Sequence, residues 1–292
     1  MEGNISTAHK HLFCFGLGYV GVALAKKLLS IGWQVSGTVR TSEKAKTLKN
    51  LGINAYIFDG ALGDTVILDQ INASSHLIST IAPTEKGDLV INAYKNPLKE
   101  TKKSWVGYLS TTGVYGDHKG GWVDENTPPN PEEARSKNRL TAEQQWHSLN
   151  LPLHIFRIAG IYGPNRNILD QLKKNTAQNI VKEGQFFSRI HVDDIVKILM
   201  ASMAQPTPHE IYNIADDAPS SRQDLVNYGA KLLGITPPKP VPFVDADLSP
   251  MTKSFYASNR RVSNRKVKEK LNISLDFPTY QEGLSALAKR II

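Results

Sequence analysis

An α/β fold is expected of this chain: a doubly wound parallel sheet with helices on both faces, followed by a smaller C-terminal portion. Three features lead there. Short β-branched or aromatic runs alternate with helical patterns through the first half. The first run passes into a helix through a glycine-rich turn. The regular rhythm then stops after residue 164. Strands separated by helices imply right-handed crossovers, and the resulting parallel sheet is covered on both faces.

Each element follows from its own stretch. "HLFCF" (11–15) reads as a buried strand, and Tyr19 to Ile31 as a helix stopped by Gly32. "QVSGTVR" (34–40) is the next strand, and a helix opens near Ser42 and runs to about Asn50. "AYIF" (55–58), a helix from Asp64 to Ile71, "HLISTI" (76–81), a helix over 88–96 and "WVGYLS" (105–110) continue the alternation. "ARSKNRLTAEQQW" (134–146) is helical, and "LHIFRI" (153–158) is the last strand of the series. At 100° per residue, Arg135 and Arg139 share a face with Ala142, Trp146 and Leu149. Two arginines therefore head a stripe whose apolar members point inward. Beyond 164, Pro-rich "QPTPHE" and "TPPKPVP" (236–242) mark loops. The expected division is a sheet domain over 1–164, with 186–215 returning to it, and a smaller portion over 165–292.

The 292 residues suffice for a large core, and 40% hydrophobic with 21% charged residues is ordinary for a globular protein. The single cysteine, Cys14, excludes an internal disulfide framework and fits a reducing compartment. "MEGNISTAHK" lacks the basic region and apolar run of a secretory signal, and no apolar stretch is long enough for a membrane span. A cytoplasmic location is the expectation. The net charge of +8 is dispersed, and its densest patch, "KSFYASNRRVSNRKVKEK", carries no nucleic-acid-binding motif. A solvated basic surface is expected there, and an anionic small-molecule ligand would suit the same charge.

"FGLGYVG" sets Gly16, Gly18 and Gly21 in GxGxxG spacing between a strand and a helix, the context that dinucleotide binding requires. Gly16 allows the tight turn, Gly18 lets a pyrophosphate approach the backbone, and Gly21 lets helix and strand pack closely. Tyr19 and Val20 fill the intervening positions at the helix start, where free N–H groups and the positive dipole end attract phosphate. A Rossmann-type nucleotide domain is the expectation. The second strand ends "TVRTSEK", with Arg40 and Thr41 where a carboxylate would hold the ribose of NAD. A guanidinium suits a 2′-phosphate, so NADP is expected over NAD. Asp59, after the third strand, either meets the adenine edge or caps a turn.

Further stretches then converge. "STTGVYG" (110–116), the helix around 135–143, "RIAGIYGPNR" (157–166), "RIHVDDI" (189–195) and "YNIADD" (212–217) follow in order. Together they resemble the extended and atypical short-chain dehydrogenase/reductases, often labelled NAD-dependent epimerase/dehydratase, over nearly the whole chain. The resemblance implies a nucleotide domain, a smaller C-terminal domain that closes over a small-molecule substrate, and an assembly that is often a homodimer. It also implies that Thr111 is the active-site hydroxyl, and that a Tyr-x-x-x-Lys pair follows on the next helix. Aligned on Glu143, those two positions are Arg135 and Arg139. Arginine stays protonated near neutral pH and is no general base.

Three readings stay open. Hydride chemistry persists with another proton donor, the nearest being Tyr115, Asp117, His118, Tyr162 or Asp88. Alternatively, Arg135 and Arg139 hold an anionic substrate such as a nucleotide sugar, helped by Arg157 and Arg189. In the third, the chain is a catalytically silent NADP-binding redox sensor. Arg189, His191, Asp193 and Asp194 look like metal ligands in print, but the resemblance sets them at a strand-to-helix junction, where an Asp caps the helix; no metal is expected. Cys14 reads as a small buried hydrophobe, and Trp105, Trp122 and Trp146 as packing residues.

Overall fold

A computed structural model describes residues 10–61 and 64–290. The N-terminal stretch read above for a signal lies outside them up to residue 9. In chain order the elements are β1 (His11–Phe15), α1 (Tyr19–Leu29), β2 (Gln34–Val39), α2 (Ser42–Lys49), β3 (Asn54–Ile57), α3 (Thr65–Ala73), β4 (His76–Ser79), α4 (Leu89–Glu100) and β5 (Trp105–Thr111). Then come β6 (Trp122–Val123), α5 (Ala134–His147), β7 (Leu153–Ile158), β8 (Gly160–Tyr162), α6 (Ile168–Lys173), β9 (Asn179–Val181), β10 (Arg189–His191) and α7 (Val192–Ala204). The chain ends with β11 (Ile211–Ile214), α8 (Arg222–Leu233), β12 (Pro240–Pro242), α9 (Pro250–Tyr256), β13 (Arg261–Val262), α10 (Arg265–Leu271) and α11 (Tyr280–Ala288).

The expected parallel sheet forms. Among the described residues its seven strands run in the order β11-β7-β5-β4-β1-β2-β3, with β1 parallel to both β2 and β4. Strand order reverses beside β1, which is where ligands dock at the carboxyl ends of such sheets. β1 is buried at every position because both faces are covered. Propensity and capping set the helices. α2 starts where Thr41 accepts the Lys44 N–H, and α8 starts with a capping box between Ser221 and Asp224 and stops at left-handed Gly234.

Chain compactness divides the protein into two units. The first comprises residues 1–109, 141–155 and 203–210; the second comprises 110–140, 156–202 and 211–292. In the first unit Phe13 and Phe15 pack edge to face, and Tyr108 stacks on Trp146. In the second, the segment that looked irregular in sequence has its own core, where α6, α8 and α11 meet through Leu169, Val226 and Leu284. Of the three tryptophans read as packing residues, Trp105 and Trp146 are fully buried, but Trp122 is 58% exposed. It lies on β6, a two-residue strand paired only with β13 among the described residues, which offers no second layer to cover it.

Candidate active site

In the first unit, β1 ends at Phe15 and Gly16 turns the chain at φ +89°, a conformation that favours glycine. Two hydroxyls fix this turn: Thr38 accepts the Gly16 N–H at 2.9 Å, and Thr80 donates to the Gly16 carbonyl. The Leu17 N–H bonds the Thr38 carbonyl, tying the turn to β2. A Cβ on Gly21 would lie 2.7 Å from the Gly16 carbonyl oxygen and 3.0 Å from Cys14 Sγ, so α1 can press against β1 only with glycine there. A Cβ on Gly18 would meet nothing nearer than 3.9 Å, so space lies open beside its backbone. α1 begins at Tyr19 and Val20 with no side-chain cap and no acid in its first turn. A pyrophosphate fits this cradle in shape and charge.

Arg40 follows β2 and is exposed; Thr41 beside it spends its hydroxyl on capping α2. Asp59 is exposed and accepts the Ala61 N–H at 2.9 Å, which is the turn-capping alternative. Cys14 is fully buried and its thiol pushed up to about 12 by burial, so it behaves as a hydrophobe. Asp88 is also spoken for: it accepts the Val90 and Ile91 N–H groups at the head of α4 and the Trp146 indole N–H at 3.0 Å.

In the second unit, Thr111 ends β5, and its hydroxyl accepts the Gly113 N–H at 3.1 Å. A Cβ on Gly113 would sit 2.6 Å from Ser136 Oγ and 3.3 Å from Thr111 Oγ1, so two hydroxyls flank this glycine. Arg135, one residue before Ser136 on α5, is exposed, with its guanidinium 4.0 Å over the Phe255 ring. Arg139 is half-buried, whereas Ala142, Trp146 and Leu149 further along are buried.

The alternative proton donors are committed elsewhere. Tyr115 is fully buried; its hydroxyl donates to Asn213 Oδ1 at 2.7 Å, and burial raises its pKa against the opposing pull of Arg157. Arg157 is buried beneath that ring, 4.9 Å from its centre. The His118 ring bonds the Tyr115 carbonyl, and Asp117 accepts the Asn259 and Lys119 N–H groups. Tyr162 is buried, packs edge-on against His191, and has its pKa raised by burial. His191 and Asp194 of the RIHVDDI stretch make structural contacts. His191 Nδ1 accepts the Asp193 N–H. The carboxylate of Asp194 accepts the Asp276 and Phe277 N–H groups rather than capping its own helix.

Arg189 lines a cleft of about 520 Å³ in this unit, together with Arg166, Lys174 and Arg222. The sequence reading missed these last three, as it missed Thr38, Thr80 and Ser136. They carry no local motif.

The model of the NAD dependent epimerase/dehydratase family matches residues 16–215. The chain belongs to that family. Protein YeeZ of Escherichia coli K12 is 28% identical over 244 residues, covering 79% of this chain and 86% of YeeZ. A functionally unknown conserved protein from Silicibacter pomeroyi DSS shares 42% identity with a TM-score of 0.89, over 97% of this chain and 99% of its own. UDP-glucuronic acid 4-epimerase from Bacillus cereus, solved in complex with NAD, superposes with a TM-score of 0.75 at 18% identity. That likeness covers 96% of this chain and 98% of the epimerase, and shows the fold alone. This family member thus has the NAD-binding oxidoreductase fold, and among its described residues no helix is long and apolar enough to cross a membrane.

Proposed function

We propose that this protein is an NADP-binding oxidoreductase or epimerase of the atypical short-chain type, acting on a polar, anionic carbonyl or hydroxyl compound such as a nucleotide sugar. The observation that carries the reading is the β1–α1 turn: positive-φ Gly16, open space beside Gly18 and an acid-free helix start. Gly16, Gly18, Tyr19, Val20 and Gly21 hold the pyrophosphate. Arg40, with Thr41, meets the 2′-phosphate, and no carboxylate in β2 opposes it. Asp59 borders the adenosine end through its turn. The bound nicotinamide supplies or accepts a hydride.

On the protein side, the Thr111 hydroxyl uses a lone pair on the Gly113 N–H and keeps its own proton for the substrate oxygen. Arg135 and Arg139 bind or polarise the substrate by charge, not by proton transfer. The two domains are proposed as residues 1–164, with 186–215 returning to the sheet, and 165–292 as the substrate portion. The protein acts as a homodimer in the cytoplasm.

Arginines in place of the tyrosine–lysine pair also favour a second reading, a catalytically silent NADP-binding sensor. Turnover decides between them. NADPH consumption over a panel of nucleotide sugars and keto acids, abolished in Arg135→Ala while NADPH binding persists, supports the enzyme. Tight NADPH binding without turnover, together with a cofactor-dependent protein partner, supports the sensor. Full activity in Arg135→Ala removes the proposed role of that residue.

A further inference from the structure

Ser136, the third residue of α5, carries a hydroxyl that the fold does not use. The residue is 5% exposed, and its Oγ has no hydrogen-bond partner among the described residues. Its N–H donates to the Glu133 carbonyl at 2.9 Å, so the backbone is settled while the side chain is not. A serine in a first helical turn commonly caps the helix or bonds back to a carbonyl, and this one does neither. A buried hydroxyl left unbonded costs free energy, and such a group in a native protein calls for an explanation, a catalytic task among them.

That hydroxyl faces the side of Gly113 that lacks a side chain. A Cβ there would lie 2.6 Å from Ser136 Oγ and 3.3 Å from Thr111 Oγ1. Gly113 does not have a positive φ, so conformation does not call for glycine; room beside the two hydroxyls does. Thr111 Oγ1 accepts the Gly113 N–H at 3.1 Å, which leaves its proton to give. Two O–H donors, one from the end of β5 and one from α5, therefore border one small space within the second unit.

We infer that Ser136 is a catalytic residue whose hydroxyl, together with that of Thr111, donates to the reacting oxygen of the substrate. The inference deepens the function proposed above and rests on it for the reaction. As the substrate carbon accepts the hydride from the nicotinamide, the carbonyl π pair moves onto oxygen, and the two O–H groups stabilise the charge that develops there. A proton from solvent then completes the hydroxyl. Hydrogen bonding of this kind asks for no general base, which arginines at 135 and 139 do not supply.

Steady-state kinetics of the full chain test it, with NADPH and the panel of nucleotide sugars and keto acids, on each compound that the parent turns over. Ser136→Ala is expected to lower kcat about a hundredfold, as loss of one oxyanion donor does, with KM within about threefold and the urea midpoint unchanged. Gly113→Ala fills the shared space from β5's side and is expected to lower kcat as much or more. The double variant is then no slower than Gly113→Ala alone, because the contact is already lost. A second measurement needs no substrate. The parent's sole cysteine, Cys14, is fully buried, so iodoacetamide is expected to label native Ser136→Cys once and the parent not at all.

Parent-like kcat in Ser136→Ala, additive losses in the double variant, or a native Ser136→Cys that iodoacetamide leaves unlabelled overturns the inference and leaves the cofactor reading standing. Gly113→Ala carries the kinetic test if Ser136→Ala does not fold. A parent that binds NADPH and turns nothing over favours the sensor and removes this role as well. A parent that binds no NADPH removes the proposed function itself, and the role of Ser136 falls with it.

Discussion

Single side chains decide the cofactor question. Arg40 is exposed beyond β2, so a carboxylate there changes charge without disturbing packing. If Arg40 holds the 2′-phosphate as proposed, Arg40→Asp weakens NADPH by about 1–3 kcal/mol and NADH far less, through loss of a charge-assisted contact. Parallel titration of both coenzymes reads this, and an unchanged preference removes the NADP assignment. Asp216 makes a different residue-scale prediction. Its folded pKa, about 8, stands above the ordinary 3.8 because burial outweighs the pull of Arg189. A raised pKa means stabilisation that is complete below about pH 4 and is lost as pH rises through 8. Wild-type protein should therefore lose more of its urea midpoint between pH 5 and pH 8 than Asp216→Asn does. Equal losses would contradict this account of Asp216.

Elements carry the next level. α5 reads one way in sequence and two ways in the fold: Ala142, Trp146 and Leu149 are buried as the 3.6-residue period requires, while Arg135 stays exposed at the other end. Asp88 joins α4 to α5, capping the one and accepting the indole N–H of the other. Asp88→Ala removes a cap and strands a buried donor, so a loss of about 2–4 kcal/mol is expected in urea unfolding. A loss below about 1 kcal/mol would show that the bonds are dispensable. β1, β2, β4, β5 and β7 were legible to within two residues, because short runs rich in β-branched and aromatic residues, flanked by turn residues, leave few alternatives. The end of α1 was less so: the helix ends at Leu29 and the turn runs on through Ser30 and Ile31 to Gly32, since the Gly32 N–H bonds the Leu29 carbonyl.

At the scale of the whole molecule, the glycine turn was legible because its chemistry is local: three glycines within six residues define strand, turn and helix together. The arginine cleft was not. Arg166, Arg189 and Arg222 lie far apart in sequence and meet only because β8 pairs with β10 and α6 packs on α8. Nothing near any one of them announces the others. The sequence suggested an anionic ligand on Arg135 and Arg139 with Arg157 and Arg189 as helpers, but gave no sign of Arg166 or Arg222. The central claim is that the first unit grips a phosphorylated nicotinamide dinucleotide through the β1–α1 turn and Arg40. Isothermal titration of the full chain with NADPH and with NADH tests it most directly. One NADPH per chain, bound more tightly than NADH, is the predicted result; no heat with either coenzyme would contradict the account.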